Sequence, residues 1–211
     1  GMTTGGGTYA VTGSASGMGA AVAESLRAEG HTVIGVDLRD ADVVADLSTA
    51  HGRQKAAEEV LAKAGGTLDG AVLAAGMGPS KGRERMITEV NVLGVTDLLT
   101  AWRPALAAAD KAKVVVFGSN STTVTPLVPR GAIRRLINGD TAGATRQILR
   151  RRGVTAPVAY AASKIAVTQW SRWQGTKPEW AGEGIRINVI APGPVMTPLL
   201  RSQLDSPQAK S

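Results

Sequence analysis

The chain of 211 residues is 43% hydrophobic and 19% charged, with 26 Gly, no Cys and two His, enough for one domain around a sizeable core. Without Cys, disulfide scaffolds, thiolate metal sites and thiol nucleophiles are excluded together, and His31 and His51 are too few for an imidazole cage, so no metal is expected. Nearly all of the net charge of +7 falls between Pro126 and Pro157, where Arg130, Arg134, Arg135, Arg146, Arg150, Arg151 and Arg152 face Asp140 alone.

Nucleic-acid sites interleave stacking aromatics with their cations, and this segment has no Phe, Tyr or Trp. A solvated or subunit-facing pair of helices is expected there, with no nucleic acid as partner. No apolar run approaches the roughly 20 residues that cross a bilayer. The first residues show no basic stretch leading into an apolar one, so a cytoplasmic protein without a membrane partner is expected.

Along the chain, Tyr9-Ala10-Val11 is a continuous apolar run of the kind found in strands covered on both faces. It enters Thr12-Gly13-Ser14-Ala15-Ser16-Gly17-Met18-Gly19, and Met18, Val22 and Leu26 then repeat at helical spacing up to Gly30, a left-handed C-cap. Exposed N–H groups and the positive end of a helix dipole at such a turn bind a pyrophosphate, while glycines let it come close. A second strand, Val33-Ile34-Gly35-Val36, ends at Asp37, 18 positions after Gly19. A carboxylate there accepts hydrogen bonds from a ribose diol and repels a 2′-phosphate, which favours NAD over NADP, although Arg39 stands nearby to receive a phosphate.

Ala57, Val60, Leu61 and Ala64 mark the next helix, with Glu59 and Lys63 spaced as an i,i+4 pair and Gly65-Gly66 at its end. Strand Ala71-Val72-Leu73-Ala74-Ala75 follows, then a helix over 88–109. Inside it Asn91, a poor helix former, signals a special role, a kink or simple exposure. After strand Val114-Val115-Val116-Phe117 comes Ser119, placed to donate to an oxygen gaining charge. Beyond the basic segment, a helix over 158–174 carries Tyr160 and Lys164 at i and i+4, on one face. An ammonium beside a phenol favours phenolate, which suits Tyr160 as a proton acceptor. A strand over 185–190 completes a β-α alternation. The expected fold is a single α/β domain, a Rossmann-like doubly wound parallel sheet with helices on both faces and ligands at the carboxyl ends of the strands.

Gly13, Gly17 and Gly19 in T-G-x-x-x-G-x-G, Asp46 with Leu47, Asn91, Ser119, Tyr160-x-x-x-Lys164, and Pro192-Gly193 with Thr197 occur in the order of one family. On them the chain resembles a short-chain dehydrogenase/reductase. Within that family it is most similar to the 3α-hydroxysteroid dehydrogenase/carbonyl reductase branch, through Val36-Asp37-Leu38-Arg39-Asp40-Ala41, Ala45-Asp46-Leu47-Ser48-Thr49-Ala50, Ala75-Gly76-Met77-Gly78-Pro79 and Thr197-Pro198-Leu199-Leu200. One departure is Leu73-Ala74-Ala75-Gly76, where the family commonly has N-N-A-G.

The resemblance implies an NAD-dependent oxidoreductase that interconverts a secondary alcohol and a ketone, with a hydroxysteroid or other apolar carbonyl compound as substrate. In it Tyr160 takes the alcohol proton and Ser119 holds the substrate oxygen. Lys164 binds the nicotinamide ribose, and Asn91 holds a water linking Lys164 to solvent. NAD would meet Gly13, Ser16, Gly17, Met18 and Gly19 at the turn, Asp37, Leu38, Asp46 and Leu47 on the adenosine side, and Ala74, Ala75 and Gly76 after the third run. It would also meet Tyr160 and Lys164, and Pro192, Gly193, Val195 and Thr197 after the last strand.

Ser119 and Tyr160 are 41 positions apart, and the extra segment, about 126–157, resembles a helical insertion used in dimer contacts; a homodimer or homotetramer is implied. Its Ile133, Leu136, Ile137, Ile148 and Leu149 are apolar groups that it could not bury alone. Family members continue past a position like Ser211 with a helix and a last strand, so a shortened chain is expected. The alternative on the same fold is a non-catalytic NAD-sensing or interaction protein, which loss of Tyr160 or Lys164 would mark; both are present.

Overall fold

The computed structural model describes residues 5–119, 128–192 and 196–205. Six parallel strands lie side by side: β1 (Thr8–Thr12), β2 (Thr32–Asp37), β3 (Val43–Val44), β4 (Gly70–Leu73), β5 (Lys113–Phe117) and β6 (Arg186–Ile190), in the order β3-β2-β1-β4-β5-β6. The order reverses between β1 and β4, where Thr12 is in register with Leu73. The crevice at their carboxyl ends is thus the place for a ligand.

Side chains alternate across the sheet. Ala10, Ile34, Val36, Ala71, Leu73, Val114 and Val116 face α2 (Ala50–Ala64), α4 (Gly94–Ala108) and α7 (Ala156–Gly175) in one buried cluster. Tyr9, Val11, Val33, Val72, Val115, Phe117 and Ile190 face α1 (Gly17–Ala28) and α8 (Pro198–Leu204) in another. Both faces are covered, which explains why the strands read as unbroken apolar runs. Trp102 of α4 is fully buried, and its indole N–H donates to the Ala57 carbonyl at 3.3 Å, meeting the need of a buried indole for an acceptor.

The structure departs from the sequence reading in four places. A sixth strand, β3, joins the sheet beyond β2, although two residues are too few to show a period. The single helix expected over 88–109 is divided into α3 (Glu84–Thr88), a π-helical turn (Glu89–Leu93) and α4. In α2 the ion pair is Lys55–Glu59 at 3.8 Å, in place of the expected Glu59–Lys63.

The last departure is the basic segment. It forms α5 (Arg130–Ile137) and α6 (Thr141–Leu149), whose Ile133, Leu136 and Ile148 are buried against Ala156, Ala159, Ala162 and Ala166 of α7. Ile137 is partly buried, and Leu149 is left 52% exposed. Most of the apolar surface expected to need a partner subunit is therefore covered by the chain's own helices.

Among the described residues β6 pairs with β5 alone. A groove of about 820 Å³ runs there past Lys113, Ile187 and Asn188, on the flank of the sheet. No helix among the described residues is long and apolar enough to cross a membrane, and none of their His, Asp and Glu residues gather into a metal-binding group.

Candidate active site

The turn between β1 and α1 is built by three glycines with different duties. Gly13 has φ +71°, donates its N–H to the Val36 carbonyl at 2.8 Å, and lies so close to β4 that a Cβ would come within 2.8 Å of Ala75 N. At Gly19 a Cβ would lie 2.0 Å from the Gly13 carbonyl oxygen, so the helix can only start here without a side chain. Gly17 has φ +56° and nothing within 4 Å of where a Cβ would be: its open side faces no protein atom.

Ser16, the N-cap of α1, makes no side-chain cap hydrogen bond, and the first turn holds no acidic residue. By contrast Thr49, Asp140 and Thr197 cap the helices they precede. An uncapped, acid-free helix start beside an open glycine fits the diphosphate of a dinucleotide. Met18 turns instead toward the apolar cluster under α1.

Asp37, at the end of β2, spans the crevice wall. Its Oδ2 accepts from Ala15 N at 2.9 Å and its Oδ1 from Leu38 N at 2.7 Å, tying the phosphate turn to the strand that carries the carboxylate. Leu38 is 65% exposed, an apolar surface beside that carboxylate of the kind an adenosine would cover. Asp46 is exposed and accepts from Ser48 N at 2.9 Å, shaping the turn into α2, while Leu47 is buried.

Behind Leu47 lies a buried ionic network. Arg53, 6% exposed, donates to the Leu47 carbonyl at 3.0 Å and pairs with Glu89 at 2.9 Å and Asp97 at 3.0 Å. Burial pushes the Glu89 carboxyl up. The Thr141 hydroxyl, Arg85 and the Arg53 charge outweigh that and hold it below the usual range.

After β4 the chain passes through Ala74, Ala75 and Gly76. The Thr12 hydroxyl accepts from Ala75 N at 3.1 Å, so β1 lends support to the turn after β4. Asn91 supplies more. Its Oδ1 accepts from Met77 N at 2.8 Å, and its Nδ2 donates to Met77 O at 3.0 Å and to Ser163 Oγ at 3.2 Å. Asn91 is 1% exposed and sits in the π-helical turn, so its polarity reflects a buried tether rather than exposure. A Cβ on Gly76 would lie 3.3 Å from Asn91 Oδ1 and 3.8 Å from Lys164 Nζ, and glycine there lets the three segments meet.

Helix α7 presents Tyr160 and Lys164 one turn apart, with Lys164 Nζ 5.9 Å from the centre of the Tyr160 ring. Lys164 Nζ donates to Phe117 O at 3.1 Å, at the end of β5. Burial disfavours its ammonium and lowers its pKa from 10.5 to about 8. Ser119, two residues on, is half-buried, and its N–H donates to Thr168 Oγ1 at 2.9 Å.

The fold therefore gathers Asn91, Lys164 and Tyr160 at the carboxyl ends of β4 and β5, with Ser119 held to the same helix. Pro192 follows β6 and is exposed, and Thr197 caps α8 by accepting from Leu200 N at 3.1 Å. Gly193 and Val195 lie outside the described residues. Ser163 and Thr168 were missed from the sequence; both share α7 with Lys164, and the i,i+4 spacing of Lys164 and Thr168 was the signal that could have found the second.

The chain is similar in sequence and fold to known proteins. The family model described as Enoyl-(Acyl carrier protein) reductase matches residues 13–211. The 3-alpha-hydroxysteroid dehydrogenase/carbonyl reductase of Comamonas testosteroni is 39% identical over 199 residues, 94% of this chain and 76% of that protein. A coniferyl-alcohol dehydrogenase from a Pseudomonas species is 33% identical over 90% of this chain and 73% of its own. Among solved structures, the 3-alpha-hydroxysteroid dehydrogenase of Pseudomonas sp. B-0831 complexed with NADH superposes with a TM-score of 0.80 at 41% identity, covering 95% of this chain and 78% of that one. The Pseudomonas aeruginosa RhlG/NADP complex gives 0.64 at 25% identity, over 98% and 79%.

Proposed function

Because the chain belongs to the short-chain dehydrogenase/reductase family, as an oxidoreductase of alcohol and ketone groups, we propose that it uses NAD to interconvert an apolar secondary alcohol, such as a 3-hydroxysteroid, and its ketone. The observation that carries this reading is the meeting of Tyr160, Lys164 and Asn91 at the sheet crevice, beside a helix start left open for a diphosphate. When bound, NAD supplies the hydride acceptor.

The chain's own residues do the rest. The Ser119 hydroxyl donates to the substrate oxygen, and Tyr160 exchanges the proton on that oxygen. Lys164 holds the nicotinamide ribose and, as a cation beside the phenol, favours phenolate. Asn91 fixes the loop after β4 and, in the same reading, holds a water between Lys164 and solvent. Asp37, Leu38, Asp46 and Leu47 take the adenosine end. Gly13, Ser16, Gly17, Met18 and Gly19 take the diphosphate, with Ala74, Ala75, Gly76, Pro192, Gly193, Val195 and Thr197 along the remaining length.

NAD is assigned over NADP on the carboxylate of Asp37, which would repel a 2′-phosphate. The steroid assignment rests on the 39% and 41% identical relatives. A homodimer or homotetramer is part of the proposal, contacting through the exposed arginines and Leu149 of α5 and α6.

The test is NADH formation with a panel of 3-hydroxysteroids and small secondary alcohols, for the wild type and Tyr160→Phe. Loss of one proton-transfer group costs about 10²–10⁴-fold in rate, with NAD affinity unchanged in a titration. Turnover of small polar hydroxyacids alone would overturn the substrate assignment. A Tyr160→Phe enzyme above about a tenth of wild-type rate would overturn the mechanism.

A further inference from the structure

Thr168 lies one turn after Lys164 on α7, 5% exposed, and the chemistry above does not use it. Its hydroxyl donates to the Lys164 carbonyl at 2.7 Å and accepts the N–H of Ser119 at 2.9 Å. A hydroxyl has one proton, and committing it to the helix carbonyl turns a lone pair toward Ser119. The opposite wall is shaped to match. A Cβ on Gly118 would lie 2.2 Å from Thr168 Oγ1 and 2.6 Å from Val189 Cγ1, so only glycine lets the end of β5 descend onto this hydroxyl.

Thr is a poorer helix former than Ala, and a hydroxyl bonding back to the helix competes with its regular hydrogen bonds. Ala166 and Val167 beside it are buried and apolar, and the buried Ser163 of the same helix bonds to Tyr160 O and Asn91. A polar side chain here needs a reason, and the Ser119 bond provides one.

We propose that Thr168 is a positioning residue for the reaction: its hydroxyl sets Ser119, at the end of β5, against the Tyr160–Lys164 face of α7. The proposal rests on the reading that Ser119 and Tyr160 share the substrate oxygen. The Lys164 Nζ–Phe117 O bond also links β5 to α7, but that ammonium has a ribose to hold as well. Thr168 ties the same two elements without being drawn on by any ligand. Misplacement of a reacting group by about 1 Å costs up to about a hundredfold in rate.

The test compares Thr168→Val, which keeps the shape and removes the hydroxyl, with Thr168→Ser, which keeps the hydroxyl. Two readouts are taken: turnover of a 3α-hydroxysteroid with NAD, and amide hydrogen exchange over residues 114–119. Thr168→Val is expected to lose exchange protection at Ser119 and at least about tenfold in kcat, with KM and the NAD Kd within about threefold. Thr168→Ser restores both. If Thr168→Val does not accumulate folded, Thr168→Ala replaces it under the same criteria.

Unchanged exchange at Ser119, or lost protection with kcat within about twofold, overturns the proposal. So does lost activity that Thr168→Ser fails to rescue. A wild type that turns over no alcohol overturns the function itself, and with it this role, whereas the exchange measurement still reads the Thr168–Ser119 bond separately.

Discussion

Replacing Lys164 by Met should stabilise the unliganded protein at neutral pH and abolish its activity. The ammonium is largely buried, and the fall of its pKa from 10.5 to about 8 corresponds, at about 1.4 kcal/mol per pH unit, to about 3 kcal/mol of unfavourable burial. Below pH 8 the folded and unfolded chains both hold this proton, so the full penalty is present. Between pH 8 and 10.5 the unfolded chain keeps a proton that the folded one has released, so the contribution to stability rises with pH and the penalty is gone above that window.

Lys164→Met removes the penalty but leaves Phe117 O without the donor at 3.1 Å, at a cost of about 1 kcal/mol. The variant should therefore be about 2 kcal/mol more stable than wild type near neutral pH. The difference should shrink through the window and end about 1 kcal/mol in favour of wild type, whose neutral amine still donates. Urea unfolding of both proteins across this pH range gives the difference directly, and other titrating groups, such as the buried Tyr9 with its raised pKa, cancel in it. A difference independent of pH would refute the argument that Lys164 is held desolvated.

Asp37→Ala should weaken NAD and improve NADP in parallel binding titrations, because it removes the charge facing the 2′ position. An unchanged preference would move the assignment to Arg39. Gly19→Ala, whose Cβ would fall 2.0 Å from the Gly13 carbonyl oxygen, should cost about 1–3 kcal/mol in urea unfolding through overpacking and distort the diphosphate turn. Gly17→Ala, with open space around it, should cost about 1–2 kcal/mol for its left-handed backbone and act mainly on NAD affinity. Arg53→Met takes the 2.9 Å Arg53 contact from buried Glu89 but leaves it Arg85 and the Thr141 hydroxyl, and should cost about 1–3 kcal/mol in the same assay. Adding Glu89→Gln should recover part of that, and a single-variant loss below about 1 kcal/mol would show the network to be dispensable.

The β-α alternation, the glycine turn and the shared face of Tyr160 and Lys164 were legible in the order of residues. These depend on short periods, on backbone conformations that only glycine enters freely, and on helical spacing. What lay between distant segments had no such local signal. Strand β3 is two residues long and exists because β2 offers it an edge. The π-helical turn at Asn91 is bound to Met77 and Ser163, 14 and 72 positions away, and no local propensity foretells it. In α2 the choice of Lys55 over Lys63 as the partner of Glu59 was made in the folded helix between two equal spacings.

Leu136 and Ile148 read as apolar groups in search of a subunit, but α7 of the same chain covers them. Lys164 was legible as a cation on the right face, whereas its burial, and so its lowered pKa, depends on the packing around it. Spacing assigns a residue to a face of its own element. Only the packed fold decides which other element meets that face, how much water remains there, and which proton a buried group can keep.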